Sequence, residues 1–349
     1  MIHDSKAMAW RILAGLYVAS GMGWIRHRGR VAILTYHRVV SDHMVRDEHI
    51  QPGMYVRGQS FDAHIAYLRK RFTIVSLEEL LDLWQTNRLK RDQSYCVITF
   101  DDGWKDNYQF AFPVLMKYRI PATIFLATDF IGTARWFWPD QMMLLLEKGR
   151  QYATGSAERK TASTVLAETI GVTLSPGDGI FRRIESGAPI DPDSIIELCK
   201  GIEVDRIQQM IDRLNRALHV VLPMHRVLLN WDEVREMAGN GVTFGSHSGS
   251  HRILTQIPLS DVKTELIDSR KTMLEQGIKP VPVFCYPNGN FDRDIQELVR
   301  ESGYFAAVGC EVGLEGDKPS DLFALKRVSL HEDSSASAPL LALALSCFR

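Results

Sequence analysis

The sequence predicts an α/β protein whose parallel sheet has about seven strands and closes into a barrel, with one long insertion. Two observations carry this prediction. Apolar, β-branched segments typical of buried strands alternate with amphipathic helical segments, which is the pattern of a parallel sheet covered by helices. The number of such strands favours a barrel over an open sheet.

The first part of the pattern runs from residue 31 to about residue 134. Ser76 and Glu79 have the spacing of a capping box at a helix start, and Pro113 lies near the start of another helix or kinks it. The predicted elements are, in order, strand VAILTY (Val31–Tyr36), helices SFDAHIAYLRKRF and SLEELLDLW, strand YCVITF (Tyr95–Phe100), a helix in NYQFAFPVLMKY and strand ATIFLA (Ala122–Ala127).

The pattern is interrupted at about residues 135–229 and then resumes. A segment this long inside a regular pattern indicates an insertion at one end of the scaffold, and DRIQQMIDRLNRALHV makes it mainly helical. Residues 336–349 follow the last strand as a C-terminal tail. The resumed pattern comprises helix WDEVREMA, strand VTFGS, helix SDVKTELIDSRKTMLEQG, strand VPVFCY, helix RDIQELVRESG and strands FAAVG and ALKRVSL.

Composition excludes several classes of protein. The 349 residues include 41 Lys and Arg against 42 Asp and Glu, so no basic field indicates a nucleic-acid partner. The five cysteines are scattered and contain no CxxC pair, which argues against a disulfide framework and a thiolate zinc site. A reducing compartment is the simpler interpretation.

The N-terminal segment, residues 1–29, joins an uncharged run (Ile12–Ile25) to the basic sequence RHRGR. The run is short for a membrane span, and the positive charge after it argues against a signal peptide. We expect either an interfacial helix in peripheral membrane contact or a helix packed on the domain's own surface. The expected location is cytoplasmic or membrane-peripheral, with a secreted or periplasmic location as the alternative that a signal peptide implies.

Unusual polar residues follow five of the predicted strands. They are TFDDG (Thr99–Gly103), GSHSGSH (residues 245–251), YPNG (Tyr286–Gly289), His37 and His331. In a parallel barrel the carboxyl ends of all strands share one face, where active sites are built. We therefore expect these clusters to converge on one site.

Two imidazoles and a carboxylate are a common ligand set for a catalytic zinc or similar divalent ion. His247, His251 and one of the adjacent Asp101 and Asp102 provide this set, and the other aspartate then accepts a proton from water. Taken singly the motifs are weak, because HxxxH pairs occur by chance and DDG is commonly a plain turn. His37 and His331, each taken alone, are more simply explained as structural histidines.

The motifs TFDDG, HSGSH and FCYPNG, in this order and at strand ends, resemble those of the polysaccharide deacetylase family, the NodB homology domain of carbohydrate esterase family 4. The similarity covers about residues 31–134 and 229–335, so the barrel domain is expected at residues 30–335. The resemblance implies a distorted (β/α)7-type, NodB-like barrel. It also implies removal of N- or O-acetyl groups from a bacterial surface or extracellular polysaccharide, or from its precursor glycan, with a divalent metal, zinc first among the candidates.

The resemblance assigns roles residue by residue. Asp101 resembles the catalytic base, and Asp102, His247 and His251 resemble the metal ligands. The backbone N–H of Asn288 lies where the family places an oxyanion donor.

The sequence departs from the family at Cys285, where many members have an arginine that braces the catalytic aspartate. Arg327 is the candidate substitute, from another direction. His331 lies near the position of the general acid, although the residues around it do not match the usual motif. Further candidates for substrate contact are Tyr286, His37 and, by stacking, Trp138.

Two other functions remain open from the sequence. A metal-dependent hydrolase of another amide, such as a deformylase or cyclic amidase, could use the same site. A non-catalytic glycan-binding descendant could keep the barrel, although it would be free to lose the four site residues found here.

Overall fold

A computed structural model describes residues 12–18, 20, 27–48, 50, 51, 53–152, 156–171 and 191–347. The chain divides into two compact units. The first comprises Met1–Thr133 and Val227–Arg349, and the second comprises Ala134–Arg226. From the sequence, the insertion is predicted at about residues 135–229.

The first unit is built on parallel strands. β1, β5, β6, β7, β8, β9 and β10 form a closed ring, because β1 pairs with both β10 and β5, and β4 is added outside β5. β2 and β3 form a separate parallel pair. The strands are β1 (Val31–Tyr36), β2 (Arg38–Val40), β3 (Tyr55–Arg57), β4 (Thr73–Ile74), β5 (Tyr95–Phe100), β6 (Ala122–Leu126), β7 (Val242–Ser246), β8 (Val283–Cys285), β9 (Ala306–Val312) and β10 (Leu325–Ser329).

Helices connect the strands, as expected for parallel pairing. In the first unit they are α1 (Asp42–Asp47), α2 (Gly58–Leu68), α3 (Leu77–Gln85), a π-helical turn (Asn107–Ala111) leading into α4 (Phe112–Tyr118), α9 (Trp231–Gly239), α10 (Leu259–Glu275), α11 (Arg293–Glu301), α12 (Glu332–Ser335) and α13 (Ala338–Leu345). In the second unit they are α5 (Trp138–Tyr152), α6 (Ser156–Ile170), α7 (Pro192–Cys199) and α8 (Val204–Leu218).

Alternate residues of a barrel strand pack into different hydrophobic clusters. In β8, Val283 and Cys285 join a cluster with β1, β5 and α3, whereas Phe284 packs with Tyr286 against residues of α10 and α11. Both faces of the strand are therefore buried, which explains why these strands read as continuous apolar runs. The predicted parallel barrel with seven strands is confirmed.

Three short strands, β2, β3 and β4, are not predicted from the sequence. β2 and β3 have three residues each and β4 has two, too few to show a periodicity. The predicted helix in NYQFAFPVLMKY is divided: a π-helical turn precedes α4, and Pro113 occupies the first turn of α4. Because the π-helical turn runs directly into α4, Pro113 lies within one continuous helical segment.

The second unit has its own apolar core. Buried residues of the four helices described in this unit form one cluster, and Trp138 packs against that cluster. Trp138 therefore contributes to packing within the insertion. Its predicted stacking on a sugar stays a prediction.

The two chain ends meet on the first unit. Residues 12–18 are helical, with Ala14 and Tyr17 buried in a small cluster with Ala342 and Leu343 of α13. The expected C-terminal tail is instead a packed helix over Ala338–Leu345, since its apolar side chains find a core partner. No helix among the described residues is long and apolar enough to cross a membrane, and peripheral membrane contact stays a prediction.

Candidate active site

The carboxyl ends of β5 and β7 carry the predicted metal ligands. The backbone N–H of Asp101 donates to the carbonyl of Tyr36, and that of His247 donates to the carbonyl of Leu126, each at 2.9 Å. The ladder hydrogen bonds thus continue one residue past each strand. They hold the two segments rigidly where the chain turns out of the sheet.

Asp102, His247 and His251 converge on one point. The Nε2 atoms of His247 and His251 lie 3.3 Å and 3.2 Å from the same carboxylate oxygen, Oδ1 of Asp102. Ligands of one zinc ion, each about 2.0–2.2 Å from it, lie about 2.8–3.6 Å apart at octahedral to tetrahedral angles. The observed separations fit a shared ion.

Hydrogen bonding also prepares His247 for this role. Its Nδ1 lies 2.8 Å from the carbonyl oxygen of Cys285, which only accepts, so Nδ1 carries the hydrogen. In the neutral ring Nε2 is then the nitrogen with the free lone pair, directed towards Asp102. A backbone carbonyl that fixes the tautomer of a ligating histidine is a common feature of metal sites.

The ligand segments contain unusual backbone conformations. Asp102, Ser248 and His251 have φ angles of 74°, 63° and 58°. Non-glycine residues adopt this left-handed region rarely and at an energetic cost, which persists where surrounding contacts enforce it. At Gly103, with φ of 81°, an added Cβ would lie 2.7 Å from Leu126, so this turn requires glycine.

Asp101 is bound by a buried arginine. The two terminal nitrogens of Arg327 donate to the two carboxylate oxygens of Asp101, each over 2.8 Å, while its Nε donates to the carbonyl of Gly309. The Sγ atom of Cys285 lies 3.5 Å from the same guanidinium. Arg327 thus reaches Asp101 from β10 and passes beside Cys285.

Charge neighbours keep both aspartates ionised. Burial acts to raise the pKa of Asp101, but the charge and hydrogen bonds of Arg327 outweigh it and lower the pKa below its usual value. Burial also acts to raise the pKa of Asp102, and the two ligand histidines beside it lower that pKa well below its usual value. Two adjacent carboxylates therefore remain anionic with different partners.

Trp104 is a site residue that sequence reasoning missed. Its indole N–H donates to Oδ2 of Asp102 over 2.8 Å, which leaves Oδ1 to the histidines. The Arg38 guanidinium lies 4.6 Å from the centre of the Trp104 ring and binds Asp106 through Nε at 2.7 Å. The sequence shows only that Trp104, which carries an N–H donor, lies two residues after the predicted ligand Asp102. It does not show which oxygen accepts from that donor.

The family model described as polysaccharide deacetylase matches residues 88–174 and 206–307, more than half of the chain. The chain belongs to the polysaccharide deacetylase family. This confirms the family resemblance of its motifs.

Individual relatives of this deacetylase are distant. YxkH of Bacillus subtilis (strain 168), whose name assigns it to the same family, is 21% identical over 317 residues, 90% of this chain and 77% of YxkH. The solved deacetylase PplD of Streptococcus pyogenes, in complex with acetate, has a TM-score of 0.55 at 17% identity, covering 92% of this chain and 99% of PplD. IcaB of Ammonifex degensii has a TM-score of 0.54 at 16% identity, covering 91% and 98%. These structures share the deacetylase fold.

Two further histidines of the deacetylase, His37 and His331, follow strands of the barrel and lie near each other. His37 follows β1, and its Nε2 is 4.0 Å from Oδ2 of Asp101. His331 caps α12, and its buried Nδ1 has no hydrogen-bond partner in the part of the chain that the structure describes. Burial lowers the pKa of His331; nearby Asp333 opposes this shift and His37 adds to it.

The YPNG segment of the deacetylase divides into a buried and an exposed part. Tyr286 is fully buried, its hydroxyl donates to the carbonyl of Phe323 at 3.0 Å, and its backbone N–H donates to Val308. Both donors of Tyr286 are thus used inside the fold, and its substrate role stays a prediction. Asn288 is exposed, with φ of 55° in a tight turn. The proposed oxyanion role of its backbone N–H likewise stays a prediction.

Proposed function

We propose that this deacetylase hydrolyses acetyl groups on a bacterial surface or extracellular glycan, or on its precursor, with a divalent ion held by Asp102, His247 and His251. The observation that supports this most directly is the approach of two imidazole nitrogens to one oxygen of Asp102, at 3.3 Å and 3.2 Å. Zinc is the ion that best suits two imidazoles and a carboxylate with open positions. When bound, such an ion supplies Lewis acidity towards water and a carbonyl.

Asp101 is the proposed base. Its carboxylate neighbours the ligand Asp102 along the chain but binds Arg327 instead, so the two aspartates face different partners. Asp101 would accept a proton as water attacks the acetyl carbonyl. Arg327 keeps this carboxylate ionised and fixes its orientation.

The remaining steps use groups around the same site. The backbone N–H of Asn288 would donate to the oxygen on which negative charge develops. His331 would donate a proton to the departing sugar nitrogen or oxygen. Acetate, which the solved PplD structure contains, is the acid that this hydrolysis releases.

An acetate-release assay tests this function. The purified chain is incubated with N-acetylated and with O-acetylated oligosaccharides, after chelation of metals and again after addition of zinc. We expect acetate release that is lost with the chelator and returns with zinc. Asp102→Asn is the matched negative control, since it keeps the side-chain shape while weakening the proposed site.

The same assay separates the two rival functions. A glycan-binding protein without activity would bind the oligosaccharides and release no acetate with any metal. A hydrolase of another amide would instead cleave formylated or cyclic amides and leave acetylated sugars intact. Either result would refute the proposed deacetylation of glycans.

A further inference from the structure

The loop between the two ligand histidines is held by a carboxylate from a different element. Glu265, on α10, accepts hydrogen bonds from the backbone N–H groups of Gly249 and Ser250, each at 2.8 Å through Oε2. The hydroxyl of Ser250 donates to its other oxygen, Oε1. One side chain thus satisfies three donors of the HSGSH loop.

Polar contacts are the main means of holding this loop. Its residues between the histidines are Ser248, Gly249 and Ser250, which bring no large apolar side chain to a core. The hydroxyl of Ser248 accepts from the N–H of His251 at 3.0 Å, but Ser248 and His251 both have left-handed backbones. An isolated loop would leave these conformations readily, because they are costly for non-glycine residues.

Glu265 also packs closely on the loop. A Cβ added at Gly249 would lie 3.2 Å from Oε2 of Glu265 and 3.2 Å from Oδ1 of Asp129. The carboxylate therefore fits directly over the glycine backbone. Hydrogen bonds from N–H groups to an ionised carboxylate are about twice as strong as those between neutral groups.

The two ligand histidines depend on this loop to different degrees. The side chain of His247 is 3% exposed and is fixed by the Cys285 carbonyl, whereas that of His251 is 25% exposed. His251 follows the loop directly, so its direction depends more on the backbone from Ser248 to Ser250. A loop that moves would displace His251 first.

We propose that Glu265 is a positioning residue for the metal site: it holds the HSGSH loop, and through the loop the imidazole of His251, in the ligating arrangement. This inference rests on the proposed metal-dependent function. Glu265 binds the backbone N–H groups of residues 249 and 250, so it would act on His251 through the loop.

Zinc affinity of Glu265 variants tests this role. The dissociation constant is measured by competition with a chromogenic chelator for the wild type, Glu265→Ala and Glu265→Gln. Loss of partners behind metal ligands typically costs about 10–100-fold in affinity, and we expect a loss of that order for Glu265→Ala. Glu265→Gln should be intermediate, because its amide oxygen still accepts from the two N–H groups but carries no charge. Asp268→Ala is the matched control, since Asp268 is an exposed acid on the same helix.

The melting temperature of the metal-free protein separates positioning from general stability. We expect Glu265→Ala and Asp268→Ala to melt within a few degrees of each other without metal, while only Glu265→Ala loses zinc affinity. Equal zinc affinity in wild type and Glu265→Ala would overturn the positioning role and leave the metal site intact. A wild type that binds no zinc would overturn the metal-dependent function and the positioning role together.

Discussion

Arg327 and Asp101 form a two-pronged ion pair in which both side chains are almost completely buried, 2% and 4% exposed. They are 226 residues apart in the chain, and the pair joins the end of β5 to the interior of β10. Paired hydrogen bonds of this geometry fix the orientation of a carboxylate as well as its charge. Asp101 is thus held as an anion in one orientation.

Removing the arginine should cost both stability and activity. Arg327→Ala leaves the buried carboxylate of Asp101 without its counter-charge, which typically destabilises a protein by about 3–5 kcal/mol. We expect a lower free energy of unfolding in urea and a large fall in acetate release.

The neighbouring thiol offers a sharper form of this experiment. Cys285 Sγ lies 3.5 Å from the Arg327 guanidinium, so an arginine at position 285 has a short path to Asp101 once Arg327 is gone. We expect the double variant Arg327→Ala, Cys285→Arg to recover part of the lost stability and activity. If neither stability nor activity recovers, the arginine that pairs with Asp101 must be on β10.

The two adjacent aspartates should respond differently to the same change. Asp102→Asn replaces a proposed ligand by a neutral amide, so zinc content and activity should fall together. Asp101→Asn should keep zinc content nearly complete and lower the rate by about 10²–10⁴-fold, the usual contribution of a general base. Zinc stoichiometry and acetate release on both variants decide the assignment. Equal zinc loss in the two, or an active Asp101→Asn enzyme, would contradict it.

The barrel and the ligand set can be predicted from the sequence, because both are visible in short segments of the chain. The long strands read as apolar runs, and TFDDG and HSGSH each follow one of them, so the convergence of Asp102 with His247 and His251 follows from topology alone. Arg327 could be suspected only because Cys285 occupies the place of the family's arginine. Its contact with Asp101 depends on the stagger of β9 and β10, where the register shifts.

The supporting residues are harder to read from sequence. Glu265 is one of several acids on α10, and nothing local distinguishes it from Asp261 or Asp268. Glu265 differs from the other acids only in that the HSGSH loop passes over its position on α10. Trp104 likewise looks like a core aromatic until its N–H is seen on Asp102.

The loss of activity on replacing His331 should be largest for substrates with a poor leaving group. A general acid assists departure of a sugar amine or hydroxyl, which are basic, and does little for an activated ester. His331→Gln should therefore lower acetate release from acetylated oligosaccharides much more than from 4-nitrophenyl acetate. His37→Gln is the comparison variant, because His37 interacts electrostatically with His331 and its Nε2 lies 4.0 Å from Oδ2 of Asp101. Equal losses on both substrates for His331→Gln would argue for a structural histidine.

A buried histidine away from the metal ligands should make the fold sensitive to acid. His64 is 1% exposed; its Nε2 lies 2.7 Å from the carbonyl of Ser335, and its Nδ1 lies 3.2 Å from the hydroxyl of Tyr36. The neutral ring with hydrogen on Nε2 satisfies both contacts, donating to the carbonyl and accepting from the hydroxyl. Burial lowers the pKa of His64 below its usual 6.5, although the Ser335 carbonyl and the charge of Glu332 oppose the shift.

The direction of the pH effect follows from this lowered pKa. Well above pH 6.5 the ring is neutral in both folded and unfolded chains, so the stability that His64 contributes is fully present. As the pH falls below 6.5, the unfolded chain binds a proton that the folded chain resists, and this stability is lost down to the folded pKa. We expect His64→Gln, whose amide can make the same two contacts, to lose less stability than the wild type between about pH 7 and 5. Urea unfolding of both proteins across this range, with chelator present so that zinc does not contribute, measures the difference. Parallel pH profiles would mean that His64 is protonated as easily in the folded protein as in the unfolded one.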